Sequence, residues 1–449
     1  MLIEALLHQV RGLEAKTKFV LLALIQRAGL GRCTLALSGK KMAVLLEMPQ
    51  AQAKEALSQL VDLKILRLGI NDRRSVRASG YDITPGYAAL IGMASNAHSC
   101  DAMERALICC FDTRLPRLTL EEAKENAQTE MEAVRGTRNF ENITKVNRLL
   151  LAALIAHSDR LGVVRGVSLG DLRKICGFGS DEQVSNRLKT LKRQGYIRSW
   201  TPGASSPVLR KKEKTTFYLC FTSTLFINAD IRVGIVTFRS TPIPDHLVTG
   251  NGHLLRVQHY RKLRKFDQFA PLDAACEALL AERVGFFKIL QGLVNKYVAA
   301  LLSRHWLDID EWRVSSRPLL PGIYKMICEN FHSSTSSVKK ADVAGAGYLN
   351  DFVDWLYEAV YSLAWTIKRS LSYVSGVDFA DVDFAVMTGD RPNHHIGVVL
   401  LYQNRVGLEV TNVLLMDEHG GDFEVVDFWA HERDLTDAAR VAYHLAARG

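Results

Sequence analysis

The residues best suited to chemistry in this sequence are hydrogen-bond donors and cations between positions 181 and 193, in the stretch DEQVSNRLKTLKR. Val184, Leu188 and Leu191 recur there at the spacing of a buried helical stripe. The polar residues left for the opposite face are Gln183, Ser185, Asn186, Arg187, Lys189, Thr190, Lys192 and Arg193. In a groove of double-stranded DNA, Asn and Gln can contact adenine edges, Arg guanine edges and Lys phosphates. These residue types therefore predict a DNA-contacting surface.

A helix-turn-helix is predicted around this stretch. Apolar residues at helical spacing indicate a short preceding helix: Leu169, Leu172, Ile175 and Cys176. Gly177 and Gly179 are expected to break that helix. Ser180 can cap the next one, because its hydroxyl accepts a free backbone N–H of the first turn. Gly195 is expected to end the second helix, after which Ile197 begins an extended run.

A basic hairpin is predicted next. The loop TPGASSPVLRKKEK, from Thr201 to Lys214, contains Pro and Gly and is therefore expected to form a turn region rather than part of the core. Its cations are Arg210, Lys211, Lys212 and Lys214. The following stretch, TTFYLCFT, is predicted to be the returning strand. A hairpin with this charge suits a phosphate backbone.

With a helix-turn-helix followed by a basic hairpin, the segment resembles a winged helix-turn-helix DNA-binding domain. The resemblance implies that the second helix lies in the major groove of double-stranded DNA. Four of its residues would then face base edges: Gln183, Asn186, Arg187 and Lys189. Phosphates would be contacted by Lys192, Arg193, Arg210, Lys211 and Lys212.

An earlier stretch, Ser38 to Leu68, repeats this pattern. A shift of 131 positions superimposes the apolar stripes, with Ala53 on Val184, Leu57 on Leu188, Leu60 on Leu191 and Leu66 on Ile197. The outer face of the earlier helix is polar but nearly neutral: Gln50, Gln52, Lys54, Glu55, Ser58 and Gln59. A two-stranded hairpin with Arg73 and Arg74 at its tip is predicted to follow. This stretch also resembles a winged helix, which could contact a second DNA half-site, or could pair two protomers or bind another protein.

Net charge differs between the two ends of the chain. The 449 residues have a formal net charge of +9. Positions 376–449 contain 13 Asp or Glu and five Arg, with no Lys, so the first 375 residues have a net charge of +17. This asymmetry indicates that the front of the chain meets an anion. Eight scattered Cys without a C-x-x-C pair favour a reducing cytoplasm, and the apolar runs are too short to predict a membrane span.

The C-terminal region contains residue types that metal-dependent nucleases use: Asp378, Asp381, Asp383, His394, His395, Glu409 and His431. A restriction-type nuclease core also needs a Lys beside its carboxylates, whereas the last Lys in the chain is Lys368. His431 and Glu432 are not followed by a second His at the zincin spacing. Carboxylates alternating along strands are typical of the solvent face of a sheet. We therefore predict a protein-interaction module without catalytic residues, metal or cofactor.

The predicted fold class is α+β and mainly helical, with two winged-helix units followed by a helical region and a small antiparallel sheet. The predicted domains are winged helices at 1–95 and 145–225, a helical connector at 96–144, a mostly helical domain at 226–375 and an acidic α+β domain at 376–449. Within the helical domain, His253–Lys265 has five cations and two His. If helical, it could contact a nucleic-acid backbone or could be a solvated linker helix.

The tandem arrangement is similar to that of plasmid-type replication initiators, over roughly residues 17–222. It predicts a prokaryotic DNA-binding protein that acts as a replication initiator or a transcriptional regulator. The alternative is a structural or assembly subunit of a chromosome- or plasmid-maintenance complex, whose winged helices bind protein. Binding through Lys and Arg to DNA would weaken steeply as salt is added, which separates the two hypotheses.

Overall fold

The structure, a computed structural model, describes most of the chain in segments. The described residues are 2–28, 39–70, 79–93, 101–111, 143–203, 209, 212–221, 226, 233–239, 284–309, 320–331, 345–372, 379–388, 395–401, 412–419, 422–431 and 435–436. They form two compact units. The N-terminal unit lies within Met1–Arg198 and Leu219–Ile231, and the C-terminal unit lies within Ser199–Tyr218 and Arg232–Ala447. The fold class is α+β and mainly helical, as the sequence predicts.

The N-terminal unit begins with α1 (Leu2–Leu7) and continues into a segment that we call the first repeat. Its elements are α2 (Ala15–Ala28), α3 (Gly39–Leu45), α4 (Gln50–Asp62), β1 (Leu66–Ile70) and β2 (Ser79–Ile83). The two strands form an antiparallel hairpin, with Leu66 opposite Ile83 and Ile70 opposite Ser79. Two further helices follow, α5 (Pro85–Met93) and α6 (Asp101–Phe111).

The second repeat has the same order of elements with one additional short strand. Its elements are α7 (Lys145–Ala156), β3 (Val163–Val164), α8 (Leu169–Cys176), α9 (Asp181–Arg193), β4 (Ile197–Thr201) and β5 (Thr216–Leu219). The strands form a three-stranded sheet in the order β3-β5-β4. Helix α7 is apolar on every side over Leu149–Ile155, and these residues are buried, which is expected of a helix enclosed by its neighbours.

Part of each repeat matches the other residue by residue at the shift of 131 positions that the sequence predicts. Helix α4 and strand β1 coincide with α9 and β4 when their numbers are raised by 131. The same shift relates the backbone bonds at the helix ends: Ile65 N–H to Leu60 O matches Tyr196 N–H to Leu191 O, and Lys64 N–H to Val61 O matches Gly195 N–H to Lys192 O. The prediction that the two stretches share one architecture is therefore confirmed over this helix and the strand that follows it, whereas β2 raised by 131 falls at 210–214, before β5.

The first helices of the two repeats pack into one core. Helix α2 contacts α7, and α6 contacts both of them, with the rings of Phe19 and Phe111 5.5 Å apart. Phe19, Phe111 and Leu150 are fully buried. Lys145 Nζ also donates to the carbonyl of Glu47 across the repeats, at 2.6 Å. The first repeat and helices α7 to α9 of the second thus lie in one compact unit, whereas Ser199–Tyr218 of the predicted domain 145–225 belong to the C-terminal unit.

The core of the C-terminal unit is built by three helices: α10 (Val284–His305), α11 (Pro321–Asn330) and α12 (Gly345–Ser372). Helix α12 has an apolar stripe at helical spacing, which is buried at Leu356, Val360, Leu363, Ile367 and Leu371. Leu209 belongs to the same core, is 4% exposed and forms a bridge with Phe331. The prediction that the loop from Thr201 to Lys214 stays out of the core was therefore wrong at Leu209. That prediction relied on the Pro and Gly content of the loop and did not take account of this single apolar residue.

A five-stranded sheet completes the C-terminal unit. Its strands are β6 (Val233–Arg239), β7 (Asp383–Thr388), β8 (His395–Leu401), β9 (Asn412–His419) and β10 (Asp422–His431). The order is β10-β9-β6-β8-β7, antiparallel except for the pair of β6 and β9. Strand β6 lies in the middle, although it is far from the others in sequence. Positions 226–375 and 376–449 thus contribute to one sheet, rather than forming the two separate domains expected.

Several predicted elements lie outside the described residues. They are residues 120–134 of the predicted helical connector, the basic stretch at 253–265, and residues 437–447 of the predicted C-terminal domain. Among the helices that the structure describes, none is both long enough and apolar enough to cross a membrane.

Candidate functional site

The turn between α8 and α9 is built by capping interactions that the sequence encodes. Ser168 Oγ accepts from Asp171 N–H at 3.1 Å, and Asp171 Oδ2 accepts from Ser168 N–H at 2.9 Å, which forms a capping box at the start of α8. Ser180 Oγ accepts from Gln183 N–H at 3.3 Å at the start of α9, as predicted. The two caps fix where each helix begins, and so fix which residues of α9 point outward.

Gly177 ends α8 in a left-handed conformation, with φ of 74°. Its backbone lies against the loop before α2, and a Cβ added at this position would be 2.2 Å from the carbonyl oxygen of Leu13. Both the positive φ and the close approach exclude a side chain. The turn of the second repeat is therefore packed directly against the start of the first repeat.

Helix α9 buries one face and exposes the opposite one. Val184, Leu188 and Leu191 are buried, as predicted. Asp181 and Glu182 are exposed in its first turn. The exposed polar residues that follow are Gln183, Asn186, Lys189 and Arg193, which recur every three or four residues and form a stripe away from the buried one. Ser185, Thr190 and Lys192 are half-buried at its sides. The stripe is thus a row of amide donors and cations that reaches solvent along the length of the helix.

The side chain of Arg187 does not lie on the outer face of α9, where it was predicted to face a base edge. Its side chain is half-buried, and its Nη1 donates to Asn147 Oδ1 of α7 at 2.9 Å. The guanidinium carbon lies 5.5 Å from the centroid of the Phe178 ring. Burial lowers the pKa of the Arg187 guanidinium. The residue is drawn toward α7 because Asn147 is buried and needs a hydrogen-bond donor.

Two other polar residues of α9 make local bonds. Gln183 Oε1 accepts from Gly179 N–H at 3.3 Å, so its carbonyl end supports the helix start. Thr190 Oγ1 donates to Asn186 O at 3.0 Å and accepts from Arg193 Nη2 at 3.4 Å. Within the stripe, the side chains of Asn186 and Lys189 are therefore the ones that the described hydrogen bonds constrain least.

The structure describes only some of the cations predicted on the two hairpins. Lys212 and Lys214 are exposed. Arg210 and Lys211, and the cations Arg73 and Arg74 of the first hairpin, lie outside the described residues.

A basic cleft, which sequence reasoning missed, lies in the N-terminal unit beside the start of α9. It has a volume of about 850 Å³ and is bounded by the loop between α1 and α2, the last turn of α8 and the first turns of α9. Its cations are Arg11, Lys16, Arg173, Lys174 and Arg187, and Glu14 is the acid among its lining residues. Arg173 Nε also pairs with Asp181 Oδ1 at 3.1 Å. The basic pairs flanking the turn were visible in the sequence, but their convergence depends on the packing of the repeats.

A buried lysine connects the two segments that bound this cleft. Lys18 is 2% exposed, and its Nζ donates to His8 O at 2.8 Å and to Ile175 O at 2.5 Å. Desolvation lowers the pKa of Lys18 to about 8, and burial raises the pKa of the neighbouring Cys176 thiol to about 12. The ammonium thus joins the chain just after α1 to the last turn of α8, where Ile175 is 157 residues from Lys18 in the sequence.

Only some of the acidic residues that the sequence analysis singled out in the C-terminal region are among the described residues. Asp381 and Asp383 are exposed at the start of β7, while Asp378, His394 and Glu409 lie outside the described residues. In the part of the chain that the structure describes, no three His, Cys, Asp or Glu side chains are grouped closely enough to hold a metal ion.

Comparisons with protein families, curated proteins and solved structures found no match to this chain. The geometry of α9 and of the adjacent cleft is therefore the basis for any functional assignment.

Proposed function

We propose that this chain is a DNA-binding protein with two winged-helix repeats, in which α9 of the second repeat lies in the major groove. The observation that supports this most directly is the exposed stripe of Gln183, Asn186, Lys189 and Arg193, opposite a fully apolar buried stripe. A helix of this kind fits the major groove, where amide and cationic side chains distinguish base pairs.

The division of labour within the stripe follows from side-chain chemistry. Asn186 offers a carbonyl and an amino group, the pair that matches an adenine edge. Lys189 can reach a base edge or a phosphate, and Arg193 at the end of the helix is suited to a phosphate. Arg187, held to Asn147, acts mainly by positioning α9 on α7.

The biological role we propose is replication initiation or transcriptional regulation in a prokaryotic cytoplasm. The positive net charge of the first 375 residues is consistent with either role, since both need an anionic partner. Selection of bound fragments from a random duplex pool, with the full chain, tests the proposal. Repeated short sites would indicate an initiator and one inverted repeat a regulator, whereas the absence of any enrichment would contradict sequence-specific binding.

An assembly role is favoured for the first repeat by a separate observation. Three large apolar side chains are exposed there and just after it, Val44 at 73%, Leu68 at 57% and Leu90 at 54%. The outward residues of α4 are also nearly neutral, so they offer little to a phosphate backbone. If both repeats bind another protein instead of DNA, the amount of duplex DNA that the chain retains would not change with Lys189→Ala and Arg193→Ala.

A further inference from the structure

We propose that the basic cleft beside α9 binds a phosphate ester, held between cations from both repeats. The inference goes beyond the groove-reading role of α9, because it assigns a site to residues before the first repeat and at the end of α8. The phosphate could belong to a DNA backbone or to a free phosphorylated molecule, since the same cations recognise both.

Charge and chemistry favour a phosphate. Arg11 and Lys16 approach from the loop and first turn of α2, and Arg173 and Lys174 approach from the last turn of α8. Arg187 lines the cleft from α9 with a planar guanidinium, which presents several N–H donors in a fixed arrangement. Cations on opposite walls of one cleft suit an anion with several acceptor oxygens and a double charge. Glu14 and the pairing of Arg173 with Asp181 offset only part of this charge.

The two walls are held together by contacts that do not involve any ligand. Gly177 lies against Leu13, and Lys18 Nζ joins His8 O to Ile175 O. The carbonyl of Gly12 additionally accepts from Gln59 Nε2 at 3.1 Å. These contacts place the loop that contributes Arg11 in a fixed position relative to α8. The cations are thus brought together by the fold before any anion binds, which reduces the entropic cost of binding.

The size of the cleft indicates that the phosphate carries an organic group. A volume of about 850 Å³ is within the range of sites for small organic ligands and far exceeds one inorganic ion. Gln9 and Gln183 also line it, and their amides can bond to a sugar or a base. Gln183 is also at the start of α9, so a phosphate in the cleft would lie next to the groove-reading stripe.

The test compares a variant that lacks two cations of the cleft with a control variant that lacks two cations elsewhere. Arg11→Ala with Lys16→Ala removes two exposed cations of the cleft, whereas Lys40→Ala with Lys54→Ala removes two exposed cations of α3 and α4 outside it. Binding of inorganic pyrophosphate to the full chain is measured by calorimetry at low salt, and binding of a mixed-sequence duplex is measured over a range of salt concentrations.

We expect the cleft variant to lose at least about tenfold in affinity for pyrophosphate, the duplex or both, while the control variant remains close to the original protein for pyrophosphate. Loss for the duplex identifies the phosphate as part of the DNA backbone. Loss for pyrophosphate alone identifies a free phosphorylated ligand, and it would stand even if the protein does not bind duplex DNA. Equal affinities of the cleft and control variants for both probes would overturn the proposal.

Discussion

Lys64 of the first repeat and Gly195 of the second repeat occupy the same structural position, and both have a left-handed backbone, with φ of 56° and 76°. Each residue follows the C-terminal end of the matching helix, and each N–H donates to the carbonyl three residues earlier. Glycine adopts this conformation without steric cost, whereas a residue with a Cβ does not. The first repeat therefore contains backbone strain that the second repeat avoids.

Replacing Lys64 with Gly is expected to stabilise the protein. The left-handed conformation costs a non-glycine residue about 1–2 kcal/mol, and part of the relief is offset by the greater freedom of Gly in the unfolded chain. We expect a net gain of about 0.5–1 kcal/mol, measured by urea unfolding of the full chain. Lys54→Gly, at an exposed position inside α4, should instead destabilise by about 1 kcal/mol. A loss of stability with Lys64→Gly would contradict the strain argument.

The close approach of Gly177 to Leu13 predicts a large effect of one added methyl group. Gly177→Ala should destabilise by the cost of the left-handed conformation and also by the displacement of the Leu13 carbonyl, a total of about 2–4 kcal/mol. Gly166 is a matched control, because it has φ of 75° but open space where its Cβ would be. Gly166→Ala should cost only about 1–2 kcal/mol. Thermal unfolding of both variants measures the difference, and equal losses would show that the contact between the repeats is not tight.

The lowered pKa of Lys18 predicts a pH-dependent stability. The folded protein releases the proton near pH 8, while the unfolded chain retains it to the usual value of 10.5, so the unfolded state binds more protons between these values. The contribution of Lys18 to the free energy of unfolding should therefore rise with pH above 8, by about 1–2 kcal/mol up to pH 9.5. Below pH 8 this contribution should be flat, because both states are then protonated.

Lys18→Met provides the comparison for this pH profile. Cys110 and Cys176 oppose the Lys18 contribution from about pH 9, because burial raises their pKa values and the unfolded chain loses their protons first. Both proteins keep these thiols and Lys145, whose pKa burial lowers, so the difference between their free energies of unfolding should grow with pH above 8. The measurement stops at pH 9.5 because Tyr87 and Tyr196, whose pKa values burial raises to about 12, would oppose the trend above pH 10. Urea unfolding at intervals of half a pH unit measures the profile. A difference that stays constant over this pH range would exclude the Lys18 contribution.

Asn186 and Arg193 should affect DNA binding in different ways. Asn186→Ala removes a group suited to a base edge, so it should lower the preference for selected over random duplexes by about 5- to 100-fold without changing the salt dependence. Arg193→Ala removes a group suited to a phosphate, so it should weaken binding to all duplexes and reduce the salt slope by about one. Lys54→Ala is the control for charge. Identical effects of the two variants would show that the stripe does not divide these roles.

The local parts of this architecture could be predicted from the sequence, because they depend on residues close together in the chain. Val184, Leu188 and Leu191 are at helical spacing, and Ser180 lies three residues before the amide that it caps. The repeat was also visible, because the same apolar spacing recurs 131 positions later.

Contacts between distant residues could not be predicted in this way. Arg187 and Asn147 are 40 residues apart, and Lys18 and Ile175 are 157 residues apart. A cation at a predicted outer position gives no sign that a buried amide will draw it inward. Leu209 was assigned to a surface turn for a similar reason, since its partner Phe331 follows more than a hundred residues later.

The central place of β6 in its sheet has a consequence for synthesis of the protein. Its two neighbours begin at His395 and Asn412, about 150 residues or more after β6 ends at Arg239. At about 5–20 residues per second, a ribosome would need about 10–30 s to release the first of them. During that time neither edge of the apolar strand β6, VGIVTFR, could form hydrogen bonds with the strands that flank it in the folded protein. We therefore expect nascent chains stalled before position 395 to require a chaperone to stay dispersed.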